Sequence, residues 1–327
     1  MKNKTILGIT LIACFVIFAI VLAGSHLSSP SASTNDNSGK NQSNQGSSSN
    51  IAGQLSSAIS LGGTYPSPVE KILIYRDVPT KLTRDDIISL GKKFGITTTG
   101  TIKDGPQGFG IASDDLTIRA YRFNSGSTEF HNTNRMRNVN PLDIPGKLPS
   151  DDEAIEIATN FLKERDLLPE GAFFKRVEHG KMTQLVRDGP DIVTWEDVQV
   201  WYGRTLNGLE VKGTKISIDI GGGGDVIDFY SNWREYAPYM ELPLITPEQA
   251  FGELKSKGIP VDTNHQQDVS INDISLAYRS KPGSQQEIYL EPVWVFKGNV
   301  MENGKTVRPV IEYIPALTEE SVKKITS

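Results

Sequence analysis

Apolar and polar positions divide the chain into a leader, a polar stretch and a body in which helical and strand periodicities alternate. Ile6 to Ala23 is an uncharged apolar run interrupted by Gly8 and Thr10. A helix rises about 1.5 Å per residue, so about 20 such residues cross a ~30 Å hydrocarbon core, and the pattern predicts a transmembrane helix or signal anchor over 5–24. Residues 25–64 are dominated by Ser, Asn, Gly and Gln, a composition that cannot bury enough surface to offset chain entropy; a disordered linker is expected there. The body then writes an amphipathic helix followed by strands three times.

The first helix is predicted over about Asp85 to Phe94, capped by Thr83, with Ile87, Ile88, Leu90 and Phe94 as its apolar stripe. Strands follow near Gly108 to Ala112, Leu116 to Phe123 and Thr128 to Asn132, and Lys71 to Tyr75 is assigned to the same unit. The second helix starts at a Ser150/Glu153 capping box, repeats Ala154, Ile155, Ala158, Phe161 and Leu162 at helical spacing, and stops before Pro169. Strands are predicted at Phe173–Val186, Val193–Arg204, Leu209–Ile220 and Val226–Tyr236, with Asn207-Gly208 as a tight hairpin. The third helix has Thr246 as cap, Pro247 at its first position and Gly258 at its end. Strands near Ile271–Arg279, Ile288–Phe296 and Thr306–Tyr313 follow, the last two joined at Asn303-Gly304, and a short helix is expected from Thr318.

These elements predict an α+β fold of repeated helix-on-antiparallel-sheet units, divided as a cytoplasmic stub at 1–4, the membrane segment at 5–24, the linker at 25–64, and units at 65–145, 146–240 and 241–327. Four stretches carry a family resemblance: Asp151 to Leu168 (DDEAIEIATNFLKERDLL), Val198 to Tyr230, Leu244 to Leu254 (LITPEQAFGEL) and Leu290 to Phe296 (LEPVWVF). Over about 150–315 the chain resembles extracytoplasmic regulators of the YycH/YycI type, within the broader PepSY-like group of cystatin-like modules. The resemblance implies one amino-terminal anchor, no catalysis, and restraint of a sensor kinase or of a peptidase. The long Ser/Asn linker departs from the bacterial regulators and points to an archaeal surface protein.

Lys2 and Lys4 favour a cytoplasmic amino terminus, which puts the head outside the cytoplasm on a single-pass membrane protein. Cleavage near Ala23 would instead secrete it. Leu11-Ile12-Ala13-Cys14 has the residues of a lipobox, but the apolar run continues past it, so lipidation of Cys14 ranks last. Cys14 is the single cysteine of 327 residues, which excludes disulfides and thiolate metal sites from the head. A net charge of −5 argues against nucleic acid as a partner. Asn41-Gln42-Ser43 is a glycosylation triplet.

Chemistry is sparse. Of the four histidines, His26 lies in the linker; His131, His179 and His265 are scattered through the body without metal-ligand spacing and read as solvated surface residues. Gly221 to Gly224 reads as a turn between two strands, since a phosphate loop feeds a helix. Asp85-Asp86, Asp151-Asp152 and Glu319-Glu320 fall in predicted first helical turns, where they complement the helix dipole. No catalytic residue, metal or cofactor is expected.

The best candidate site is the strand VTWEDVQVWYGR, Val193 to Arg204. Alternation sends Val198, Val200 and Tyr202 to the core and Trp195, Asp197, Gln199 and Trp201 to the other face. With Tyr230 and Trp233 on a nearby strand these form a candidate surface for a protein or peptide partner; cover for a neighbouring helix is the competing reading. An open sheet edge is a second way to take up a peptide. The sequence therefore predicts a membrane-anchored, non-catalytic binding protein. A hydrolase assembled from Asp, Glu and His, and a peptidase inhibitor acting in trans, are the alternatives.

Overall fold

A computed structural model describes residues 54–56, 58–79, 81–96, 101–106, 108–113, 115–121, 127–133, 147–184, 192–262, 265–282 and 285–326, excluding the side chains of 54–56, 182–184, 192–196 and 326. Ala52–Ser327 forms one compact unit. The other unit, Met1–Ile51, lies outside the described residues, and with it the expected transmembrane segment, Cys14 and Asn41.

Each predicted helix forms where its caps place it. Thr83, Ser150 and Thr246 close capping boxes with Asp86, Glu153 and Gln249 at the starts of α1 (Arg84–Lys93), α2 (Asp151–Glu164) and α3 (Pro247–Lys257). The chain ends in α4 (Glu319–Thr326). The acidic pairs at 85–86, 151–152 and 319–320 all sit in first turns.

The strands correct the expected fold class. Instead of repeated helix-on-sheet units, the unit is mostly β: twelve strands share one mixed sheet, and the four described helices are short. Eight of its strands run antiparallel in the order β4 (Thr101–Gly105), β5 (Gly108–Ser113), β6 (Leu116–Tyr121), β7 (Ser127–Asn132), β11 (Val226–Asn232), β10 (Leu209–Ile220), β9 (Ile192–Leu206), β8 (Ala172–Gln184). The rest is β14 (Gln267–Arg279), β15 (Glu291–Glu302) and β16 (Lys305–Pro315), with β2 (Ile59–Leu61) beside β14. Two pairings fuse what was expected to be separate. β7 joins β11 antiparallel, Phe130 opposite Phe229, and β10 joins β14 in parallel through Val211 and Lys212 against Tyr278 and Arg279. Satisfying the outer backbone groups of β7, β11 and β14 in this way removes the exposed edges that isolated units would carry.

Two further corrections concern the chain's beginning. β3 (Lys71–Asp77) does not join the first meander; it pairs with β12 (Tyr236–Pro243) and buries Ile72, Ile74 and Tyr75 in the carboxy-terminal core. β1 (Gln54–Ser56) pairs with β13 (Ile259–Val261), and β2 buries Ile59, so residues read as linker already belong to the fold. Among the described residues no helix is long and apolar enough to cross a membrane. No helix of the structure supports the single-pass, membrane and cell-surface expectations, whose segment at 5–24 lies outside the described residues.

Two cores lie under the helices. Ile87 and Phe94 of the α1 region and Ala158, Phe161 and Leu162 of α2 pack on Ile118, Phe130, Val198, Val200, Ile218 and Phe229. Phe251 and Leu254 of α3 pack on Tyr278, Trp294 and Phe296, with Trp294 Nε1 donating to Ile245 O at 3.0 Å and the Tyr278 hydroxyl to Leu73 O at 2.6 Å. Between the cores lies a buried charged joint. Arg234, 1% exposed, donates to Gln285 O at 2.8 Å and lies 4.0 Å from Asp77; Arg204 donates to Arg234 O. The Tyr236 hydroxyl donates to buried Glu287 at 2.6 Å.

β10 turns between its partners at Gly213, whose φ of +90° favours glycine, and a Cβ there would lie 2.5 Å from Ser280 O. Gly208 in the Asn207-Gly208 hairpin also has positive φ, +77°, with open space around it. Urea unfolding is therefore expected to show Gly213→Ala costing roughly 2–4 kcal/mol and Gly208→Ala about 1 kcal/mol, the difference measuring the close approach to Ser280.

Candidate functional site

The face of the eight-stranded antiparallel run opposite α1 and α2 carries the candidate site. Alternation along β9, β10, β11 and β7 buries Val198, Val200, Ile216, Ile218, Phe229 and Phe130 toward the helices and turns their neighbours outward. Register then lines the outward residues into two rows. One runs Gln199, Asp219, Asp228, His131, Thr117; the other runs Arg176, Trp201, Ser217, Tyr230, Glu129, Arg119. Every side chain in the two rows except Ser217 is at least partly solvent-accessible.

The second row is aromatic and cationic. The Arg176 guanidinium lies 4.6 Å from the Trp201 ring centroid, and the Lys215 ammonium sits 4.8 Å from Trp201 and 5.3 Å from Tyr230. Trp201 Nε1 is buried without a hydrogen-bond partner among the described residues. The first row is acidic with one imidazole. His131 Nδ1 meets Asp228 Oδ2 at 2.5 Å, and its Nε2 lies 3.8 Å from Glu129, which accepts from the Tyr121 hydroxyl at 2.7 Å. Asp197 accepts from Gly180 N at 3.1 Å. The Asp219 carboxyl has neither hydrogen bond nor ion pair among the described residues.

The electrostatics follow from these contacts. Hydrogen bonding to Asp228 and then Glu129 pushes His131 up to about 9, so it is a cation at neutral pH. The bond to His131 holds Glu129 below the usual carboxylate range. Desolvation, then bonding to Glu129, pushes Tyr121 up to about 12. Desolvation, reinforced by the negative charges of Asp228 and Asp197, raises Asp219 well above the ordinary aspartate value; Asp197 is raised too, chiefly by desolvation.

The six residues singled out in the sequence divide. Asp197, Gln199, Trp201 and Tyr230 lie on this face. Trp195 lies on β9 opposite Lys181, and its side chain is outside the described ones. Trp233 does not extend the surface: it is 7% exposed in the helix-side core with Arg204 over its ring at 4.9 Å, because three residues from Tyr230 means the opposite face. Sequence reading missed Asp219, Asp228, Glu129 and His131. Their signal was an acid or imidazole at an outward position of an alternating strand, and only register brings them together. His179 and His265, by contrast, make surface pairs with Asp151 and Glu302 at 2.8 and 2.9 Å.

No group of three or more His, Cys, Asp or Glu side chains among the described residues is arranged to hold a metal ion. Two concavities lie on the helix side, away from both rows. A groove of about 530 Å³ is floored by Phe94, Phe130 and Phe161, and a slot of about 170 Å³ lies beside Trp233.

No family model matches this chain, and no curated protein matches it. Among solved structures it is similar to an uncharacterized protein from Eubacterium rectale, with 12% identity, 80% of this chain and 87% of that one covered, and a TM-score of 0.45.

His131 sets a pH dependence. A group raised on folding contributes stability that is fully present below its unfolded value of 6.5 and is lost as pH climbs through about 9. Denaturant titrations should show that loss, on the order of 1–3 kcal/mol, between those limits. His131→Gln should remove the slope in that window.

Proposed function

We propose that this chain is a non-catalytic binding protein whose polar sheet face takes up a protein or peptide partner. One observation carries the reading: an aromatic–cationic row and an acidic row run side by side across adjacent strands on a partly accessible face, opposite the described helices α1 and α2. Such a surface offers ring area, charge of both signs and hydrogen-bonding groups to an extended segment lying across the strands. Both rings near Lys215 are already engaged by cations, which suits a peptide contacting the whole strip better than a sugar stacking on an open ring. The partner class agrees with what the YycH/YycI-type resemblance implies.

The line Asp228–His131–Glu129–Tyr121, hydrogen-bonded at its two ends and ion-paired at 3.8 Å between His131 and Glu129, favours a second reading, a hydrolase using Asp219 and His131. Two features weigh against it. An imidazole held as a cation between two carboxylates is a poor general base at neutral pH, and neither of the two helix-side concavities is lined by the cluster.

Selection of a random peptide library on the full chain tests the first reading. Selected peptides should bind Trp201→Ala at least about tenfold more weakly, a loss of about 1.4 kcal/mol, with the variant's unfolding transition preserved. Equal binding by Trp201→Ala overturns the assignment of the face. Hydrolysis of peptide, ester or glycoside substrates that disappears in both Asp219→Asn and His131→Gln would establish the hydrolase instead.

A further inference from the structure

The acidic row contains an arrangement that partner binding alone does not explain. Asp219 on β10 and Asp228 on β11 are direct Cα partners, a position where cross-strand Cβ atoms lie roughly 4.5–5.5 Å apart and like charges repel. The fold resolves Asp228 by giving it His131 at 2.5 Å, and it resolves Asp197 with the Gly180 amide. Among the described residues it gives the Asp219 carboxyl no hydrogen bond and no ion pair; the charges of His131 and Lys215 act on it less strongly than desolvation and the two neighbouring carboxylates. The charged and titratable groups around Asp219 come from four strands. β9 brings Asp197, β11 Asp228, β7 His131 and Glu129, and β10 itself Lys215. Glu178 and His179 of β8 stand one strand further out, opposite Gln199 and Val198. Lys215 is turned to Trp201 and Tyr230, and His131 is held by Asp228 and Glu129, so neither cation makes a contact with Asp219.

We propose that Asp219 is the proton-operated element of this face, neutral when the face is unoccupied and ionised when a partner lays a cationic group on the row. The inference rests on the partner-binding reading for its second half only. The first half, an Asp219 that keeps its proton beside Asp228, concerns the chain alone. Neutral Asp219 leaves the row with Asp228 matched by His131. Ionised Asp219 adds an uncompensated charge next to Asp228 and Asp197, and a partner's ammonium or guanidinium supplies the missing positive charge. No other reactant is needed, because the proton passes to solvent. Binding of a basic segment therefore releases one proton and tightens as pH rises, with a limiting slope of tenfold per pH unit below the point where free Asp219 ionises.

Two measurements on the full chain test it. Carbon-13 NMR of the aspartate carboxyls, assigned with Asp219→Asn, should show the Asp219 resonance titrating above the range of the exposed aspartates and moving lower in Asp228→Asn. Titration of Asp219 within the ordinary range overturns the proposal. The second measurement uses basic peptides from the library selection. Wild-type affinity should rise with pH across the Asp219 titration, while Asp219→Asn should bind weakly and without that slope. An unchanged slope in Asp219→Asn overturns the coupling. If selection yields no peptide but NMR finds the displaced titration, the binding reading fails and the proton-holding arrangement stands. Normal unfolding transitions of both Asn variants, which keep the shape of the side chain, separate these outcomes from loss of fold.

Discussion

The whole structure depends on one strand serving neighbours on both sides along twelve residues. β10 pairs with β9 along one edge and, on the other, hands over from β14 at Val211–Lys212 to β11 from Lys215 onward. The handover needs backbone that leaves one ladder and enters another without stranding polar groups. Gly213 supplies the left-handed conformation, Ser280 N donates to Lys212 O at 2.8 Å, and the Asn232 amide donates to Gly213 O at 3.2 Å. Without it the two cores would be neighbours in sequence and strangers in space.

Charge is used in opposite ways at the joint and on the open face. At the joint, Arg204, Arg234, Asp77 and Glu287 are buried together, and removing one member of such a set leaves an uncompensated ion. That makes the joint intolerant of change, whatever its net contribution to stability. On the open face the carboxylates are only partly withdrawn from water, and one of them is left unmatched. A surface serving stability alone would pair or dilute these groups, and the mismatch falls on the face where we propose that a partner binds.

What could be read from the sequence follows the range of each interaction. Helix ends were legible because capping boxes are local: Thr83, Ser150 and Thr246 each bond three residues ahead. The Asn-Gly hairpins and the alternation in Val198–Tyr202 were legible for the same reason. The fused sheet was not, since nothing near Phe130 announces Phe229 as its neighbour. KILIY shows that it is a strand but not that its partner begins at Tyr236. At the site, parity already separates Tyr230 from Trp233. The pairing of Asp219 with Asp228 needs the register of the β10–β11 turn, where Gly221–Gly224 adds residues whose exact path sets which side chains meet.

The long-range pairing of the first strands bears on how the protein is made. Ser60 bonds to a carbonyl 209 residues later, and Tyr278 reaches back 205 residues to Leu73. A ribosome working at 5–20 residues per second needs roughly 10–40 s to cover such a gap. Throughout that interval Ile59, Ile72 and Ile74 have been synthesised and their partner strands have not. The nascent chain's hazard of misassociation is therefore concentrated in its earliest body segments, and completion of the fold must wait for its end.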